Sequence, residues 1–578
     1  MLTKLTRQYL REGRRGVVAA IVVLQLAQTF ASLLLPSLNA TIIDRGVATG
    51  NGPLIWRLGA VMLGITVVQV VCSGLAIYLA AREAMGQGRW LRGRVFSHVQ
   101  QFSTADLYHF GAPSLITRCT NDVQQVQMVV FLIYELMVVA PLMGIGGVIM
   151  AIREDAPLSQ ILLVIVPVLA LTVGLIMRQL GPRFKAQQRA IDRITDVLRA
   201  QLSGVRVIRA FRRQGTERDR YEDANRQLRS LALAVGSLFA LMFPLVSLII
   251  SASQVGVIWF GGRRIEAGGM EVGALTAYLS YLMMILMSVM LASFVFTMIP
   301  RAQVCAARIG EVLDYQPVLA PASDPTPVGA GAVFALQDAT VKHPDASAPV
   351  LAPTSIEFAP RHTTAIIGAT GSGKTTLISL IPRLRDPSGG RVSVNGVDIR
   401  EADLAQVRRR IAYVPQTAYL FSGTIATSVA ACPADQVDHA RLRRALEVAC
   451  ATEFVDALPE GVESRVEAGG QNFSGGQRQR LAIARALYRS ADIYIFDDSF
   501  SALDYATDAK LRGGLRAHVG DAALVIVAQR IATIRHASTI IVLDKGHVVG
   551  RGTHDELLAT CPTYRAIVAS QVSEEEAA

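Results

Sequence analysis

Lysine is nearly missing from this chain of 578 residues: Lys4, Lys185, Lys342, Lys374, Lys510 and Lys545 stand alone among 57 basic residues, and the rest are arginine. Cysteine is equally sparse. Cys72, Cys119, Cys305, Cys432, Cys450 and Cys561 form no C-x-x-C pair and no other metal-ligand spacing. That excludes a cysteine-built metal centre and fits reduced, packed thiols in a chain facing the cytoplasm. Charge is also lacking locally, since long runs before about residue 300 carry almost none. After them the composition turns to that of a soluble α/β domain. No base-reading module of a nucleic-acid binder appears. The net charge of +11 is therefore read as arginine flanking membrane spans on the cytoplasmic side.

A helix needs about 20 mainly apolar residues to cross a bilayer. Six segments qualify, roughly 17–38, 56–81, 128–151, 158–180, 233–261 and 272–298. The connections 39–55, 152–157 and 262–271 are short, whereas 82–127 and 181–232 are long, polar and rich in arginine. Positive residues stay inside, so the long loops and both termini are expected in the cytoplasm. The basic, then apolar, N-terminus could be a signal peptide, but the run continues from Val17 to Leu38 and further spans follow, as in a retained first span. Residues 186–213 repeat apolar side chains at helical spacing, among them Ile194, Val197, Leu198 and Leu202, which predicts membrane helices that continue as a stalk. Each long loop should turn at a short polar stretch, near Ser103–Ser114 and near Gly215–Glu222.

Few groups within the spans are polar. Glu135 is either an intramembrane functional carboxylate or a residue at the water boundary. Met283, Met284, Met287 and Met290, beside Tyr278 and Tyr281, suit a surface for varied apolar ligands, or ordinary helix packing. Ser251, Ser253 and Gln254 fit cavity groups or interhelical hydrogen bonds. The domain plan is therefore a membrane domain over 1–317, a Pro-, Gly- and Ala-rich linker over 318–332, and a nucleotide domain over 333–578.

The nucleotide domain announces itself at Gly368-Ala369-Thr370-Gly371-Ser372-Gly373-Lys374-Thr375, followed by Thr376. This is a complete G-x-x-x-x-G-K-[ST] loop between a strand-like run (Thr364–Ile367) and a helical one. Backbone N–H groups of Gly371–Thr375 would form an anion nest, Lys374 would reach the β- and γ-phosphates, and the Thr375 hydroxyl would take Mg²⁺. The expected cofactors are ATP and Mg²⁺.

Three further motifs follow in order: Tyr413-Val414-Pro415-Gln416, Phe473-Ser474-Gly475-Gly476-Gln477, and Ile493-Tyr494-Ile495-Phe496-Asp497. Together with the phosphate loop they resemble the nucleotide-binding domain of an ATP-binding cassette (ABC) transporter. The six spans with long cytoplasmic loops resemble its exporter-type half-transporter, and Thr117–Val123 resembles a stretch of that family's first cytoplasmic loop. The resemblance implies an all-α six-helix transmembrane domain, then an α/β P-loop domain with helical and antiparallel β subdomains. It implies that Gln416 senses the γ-phosphate and metal, that Asp497 serves the metal, and that Asp504 belongs to the nucleotide site. His343 takes the place of an adenine-stacking aromatic, or is merely exposed. Two cassettes would close head to tail, Ser474–Gln477 of one covering the ATP of the other.

Two positions depart from the family pattern. Asp498 stands where a glutamate usually polarises the attacking water, and Gln529 where a histidine usually contacts the γ-phosphate. Aspartate is one methylene short, and a misplacement of about 1 Å can cost roughly 100-fold in rate. Glutamine cannot become an imidazolium. The expectation is a degenerate site that holds ATP, in a heterodimer whose partner supplies the glutamate and the histidine. The expected setting is a bacterial plasma membrane, crossed many times, with an amphiphilic drug or lipid as cargo, membrane lipid around it and no nucleic acid. The alternatives are an ATP-sensing regulatory subunit and an exporter-shaped importer.

Overall fold

The computed structural model describes residues 1–319, 322, 324–329, 331, 333–342 and 346–575. The chain divides into two units, residues 1–100 with 110–315, and residues 101–109 with 316–578.

The first unit is helical. Helices α1 (Leu2–Arg11), α2 (Arg15–Ile42) and α3 (Gly52–Val99) open it. The short α4 (Thr104–Phe110) lies mostly in the stretch that belongs with the second unit. Then come α5 (Ala112–Thr117), α6 (Val123–Glu154), α7 (Leu162–Ser203), α8 (Val205–Ala210), α9 (Gln214–Glu266) and α10 (Val272–Asp314). Six stretches are long and apolar enough to span a membrane. Their apolar windows are barely buried inside the molecule, that of α3 only 6%. Water would make so much exposed valine and leucine costly, whereas lipid does not. The chain is thus a multi-pass membrane protein.

Local chemistry sets these helices. Asn51 caps α3 by accepting from the Leu54 N–H, and Pro53 sits in the first turn, where its missing N–H costs nothing. Glycines let α2, α6 and α10 close up: a Cβ on Gly146 would meet Leu33, and one on Gly147 would meet Ile285.

One expectation is corrected here and one open alternative is decided. The second reversal falls upstream of Gly215–Glu222. Gly204 ends α7, α8 follows, and the chain turns at Phe211–Arg213 with Arg212 at φ +52. Gly215 is already inside α9, where first-turn N–H groups have no helical partner to lose. Tyr278 and Tyr281 line no open surface. Both are fully buried, and their hydroxyls donate to the carbonyls of Leu158 (3.2 Å) and Leu33 (2.9 Å). A buried phenol needs such an acceptor, so these rings belong to the helix core.

The second unit begins with β1 (Phe334–Val341), β2 (Leu351–Phe358), β3 (Thr363–Gly368), α11 (Lys374–Ser379), β4 (Gly389–Val394) and β5 (Val397–Asp398). It continues through α12 (Leu404–Arg409), β6 (Ile411–Val414), β7 (Gly423–Thr424), α13 (Ile425–Ala430), α14 (His439–Val448), α15 (Thr452–Asp456) and β8 (Arg465–Val466). Then follow α16 (Gly475–Tyr488), β9 (Ile493–Asp497), α17 (Tyr505–Val519), β10 (Ala523–Val527) and α18 (Ile531–Ile534). Last come β11 (Thr539–Asp544), β12 (His547–Gly552), α19 (His554–Thr560) and α20 (Pro562–Glu575).

The six-stranded sheet runs β12-β11-β3-β10-β9-β6, parallel except for β12. Successive residues feed opposite cores: Ile493 and Ile495 enter one, Tyr494 and Phe496 the other. A separate antiparallel sheet runs β2-β1-β4-β5. The described part of the linker is bound along this unit, with Thr326 N–H donating to the Glu401 carbonyl (2.8 Å) and Arg410 donating to that of Val328 (2.9 Å).

Candidate functional site

In an open parallel sheet, ligands gather outside the carboxyl ends of the strands. Four strand ends meet here. Strand β3 ends at Gly368 and releases the phosphate loop, β6 releases Gln416, β9 ends in Asp497 with Asp498 just beyond it, and β10 leads to Gln529. A cavity of about 220 Å³ lies among them, lined by Thr370, Gly371, Gly373, Lys374, Thr375, Thr376, Gln416, Asp497, Asp498 and Gln529, with Val350 and Val527.

The loop fits a polyphosphate. Gly371 and Gly373 hold φ of +81 and +101, and a Cβ on Gly373 would sit 2.9 Å from the Val350 carbonyl. At Gly368 a Cβ would sit 2.1 Å from the Leu543 carbonyl, so the loop must start on glycine. The Lys374 ammonium is buried and donates to the carbonyls of Gly368 (2.7 Å) and Ala369 (2.8 Å), which leaves its third donor for an anion. Burial pushes it below the ordinary lysine value, and Asp498 and Asp497 pull it back up. Ser372 Oγ is buried with no partner, a donor that a phosphate oxygen would satisfy. The oxygen set also suits Mg²⁺, which takes few protein ligands beside phosphates. Thr375 Oγ1 donates to Asp497 Oδ1 (3.2 Å), and Tyr413 donates to Asp497 Oδ2 (3.3 Å). Tyr413 is a site residue that motif reading overlooked. Its place three residues before Gln416 on strand β6 was the available signal.

The two departures touch each other. Gln529 Nε2 donates to Asp498 Oδ2 at 2.8 Å, and Gln416 Nε2 approaches the same oxygen at 3.4 Å. Burial pushes the Asp498 carboxyl above its ordinary range, opposed by the Gln529 donor and by Lys374. Asp497 is likewise raised by burial.

Other expected site residues lie apart. Ser474 caps α16 through a reciprocal box with Gln477: Ser474 N–H donates to Gln477 Oε1 (3.0 Å) and Gln477 N–H to Ser474 Oγ (3.3 Å). Asp504 caps α17 by accepting from Thr507 N–H (2.9 Å) and its hydroxyl (2.7 Å). Among the described residues, Ser474, Gly475, Gly476, Gln477 and Asp504 do not line the cavity. His343 lies outside the described residues. In the membrane unit, Glu135 is half-buried, Gln254 contacts Met283 (3.4 Å), Met284 packs on the helix core and Met287 is exposed.

Comparison with known proteins gives the same picture. Residues 18–289 match the ABC transporter transmembrane region, and residues 351–501 match the model described as ABC transporter. An uncharacterized ABC transporter ATP-binding protein of Mycobacterium tuberculosis (strain ATCC 25618 / H37Rv) is 49% identical over 99% of this chain and 98% of its own length. An ATP-dependent lipid A-core flippase of Bordetella pertussis (strain Tohama I / ATCC BAA-589 / NCTC 13251) is 29% identical, covering 98% of this chain and 92% of its own. The solved structure of a bacterial Atm1-family ABC exporter with ATP bound superposes with a TM-score of 0.81 at 22% identity, over 96% of this chain and 99% of that one.

Proposed function

The chain belongs to the ABC transporter family as an exporter-type half-transporter, with an ATP-binding cassette that couples ATPase activity to transport, and on that premise we propose that it is the ATP-holding half of a heterodimer. The observation that carries the reading is the 2.8 Å hydrogen bond from Gln529 to Asp498. Gln529 takes one oxygen of a carboxylate that is a methylene shorter than the glutamate expected there, and its amide cannot become an imidazolium. Lys374, Thr375 and the loop N–H groups bind and orient the phosphates. Thr375 and Asp497, with Gln416, would hold Mg²⁺, which when bound neutralises phosphate charge. Ser474–Gln477 keeps its capping geometry and serves a site on the partner.

Exposed apolar side chains support a partner. Leu202, Val207 and Phe211, at 76, 60 and 74% exposure, stand at the turn between α7 and α9, beyond any run long enough for the membrane. A second chain would cover them. The cargo we propose is an amphiphilic drug or lipid, moved across a bacterial plasma membrane from a cytoplasmic cassette. The lipid A-core flippase among the relatives favours the lipid.

A second reading, an ATP-sensing regulatory subunit, is favoured by the same altered pair, Asp498 and Gln529. Exporter or importer is decided by vesicle uptake with defined sidedness. The degenerate site is tested by ATPase assay of this chain alone and mixed with its partner. The mixture should turn over at least 100-fold faster, following the steep geometric penalty of about two decades per ångström. Equal rates would sink the heterodimer.

A further inference from the structure

The inner face of α20 carries an oddity. Tyr564 is fully buried, and Ile567 and Val568 pack on the same core. The spacing i, i+3, i+4, i+7 brings Gln571 next on that stripe, where an apolar residue belongs. Gln571 does not point to water. Its Nε2 donates to the backbone carbonyl of Gln529 (2.7 Å), and its Oε1 accepts from the backbone N–H of Ile531 (2.8 Å). One planar amide thus makes both bonds that a neighbouring strand would make to residues i and i+2 of an extended backbone. Arg530 between them is extended, with φ −93 and ψ 127. Its guanidinium lies 4.9 Å from the centre of the Tyr505 ring.

The helix behind this amide is fixed. Tyr564 OH pairs with His554 Nδ1 at 2.8 Å, and α19 is capped by the Thr553–Glu556 box. A rigid arm therefore grips the backbone of Gln529, the residue whose side chain holds Asp498. We infer that Gln571 is a positioning residue for the switch: its amide pins the backbone at 529 and 531 and so aims the Gln529 side chain into the nucleotide site. The inference rests on Gln529 acting as the switch residue. Only glutamine has both the reach and the paired donor and acceptor. Asparagine is one methylene short, glutamate cannot donate, and methionine matches the length with neither bond.

The test uses the full-length chain in lipid nanodiscs with Mg²⁺, a fluorescent non-hydrolysable ATP analogue and fluorescent ADP. Stopped-flow release is followed for Gln571→Met, Gln529→Ala and the double variant. Gln571→Met should speed analogue release about ten-fold, the worth of one net hydrogen bond, and leave ADP release unchanged. Amide exchange at Ile531 should rise while α19 and the start of α20 stay protected. The double variant should release the analogue no faster than Gln529→Ala alone. Equal acceleration of both nucleotides, additive effects, or unchanged release in Gln571→Met would overturn the proposal. If Gln529→Ala itself leaves analogue release unchanged, the switch reading fails and the proposal falls with it. Rapid hydrolysis of ATP by the unmodified chain would sink the degenerate site alone, because the analogue is not cleaved.

Discussion

Asp498 occupies a left-handed backbone position, φ +47, which aspartate tolerates better than most residues. Its N–H donates to the Val527 carbonyl at 3.0 Å, tying the end of β9 to the end of β10. Those constraints hold a carboxylate in a largely buried place, and burial raises its pKa. The raised value fixes the sign of a pH effect. Below the ordinary aspartate range the neutral form is present both folded and unfolded, and its contribution to stability is complete. As pH rises through the raised folded value, that contribution is lost. Nucleotide-free protein should therefore lose thermal stability as pH rises above the ordinary aspartate range, and Asp498→Asn should lessen that slope, Asp497 retaining its share. Differential scanning across a pH series checks it, and an unchanged slope would refute it. Lys374 is pushed the other way by the same burial. Both departures were legible in the motifs. Their mutual hydrogen bond was not, because 31 residues separate them and only the adjacency of β9 and β10 brings them together.

At the level of elements, the strand–loop–helix around Lys374 and the signature helix could be read because their chemistry is local. A capping serine with glutamine three residues on writes the start of α16 into the chain. Ser474→Ala should cost roughly 1 kcal/mol through loss of the cap, seen as a small fall in thermal midpoint. Because Ser474 stands apart from this chain's own cavity, ATP binding here should persist while ATPase of the two-chain complex drops. Loss of this chain's own ATP affinity would argue against a signature that serves another site. The reversal between α7 and α9 was misplaced for the opposite reason. Gly204 and Gly215 look alike in sequence, and only helix-end geometry tells a stop from a harmless first-turn glycine. Tyr278 and Tyr281 left two readings open for a like reason: their partners are carbonyls 120 and 248 residues away.

Over the whole molecule, the arrangement in the membrane follows from where arginine is allowed. Residues 181–232 carry arginine densely, whereas the turn 267–271 closes a short connection after Arg263 and Arg264. Positive residues bias loops to the cytoplasmic side, so the denser loop is predicted to stay on the side of synthesis. Two exposed sites report the outcome: Arg213 at the α7–α9 reversal and Ala267 in the turn after α9. In a chain with its six native cysteines replaced by serine, Ala267→Cys should react with a membrane-impermeant maleimide in intact cells. Arg213→Cys should react only after permeabilisation. The reverse pattern would put the cassette on the outer face, away from cytoplasmic ATP. The nucleotide site would then have nothing to bind, so the labelling result tests the transport reading as a whole and not the topology alone.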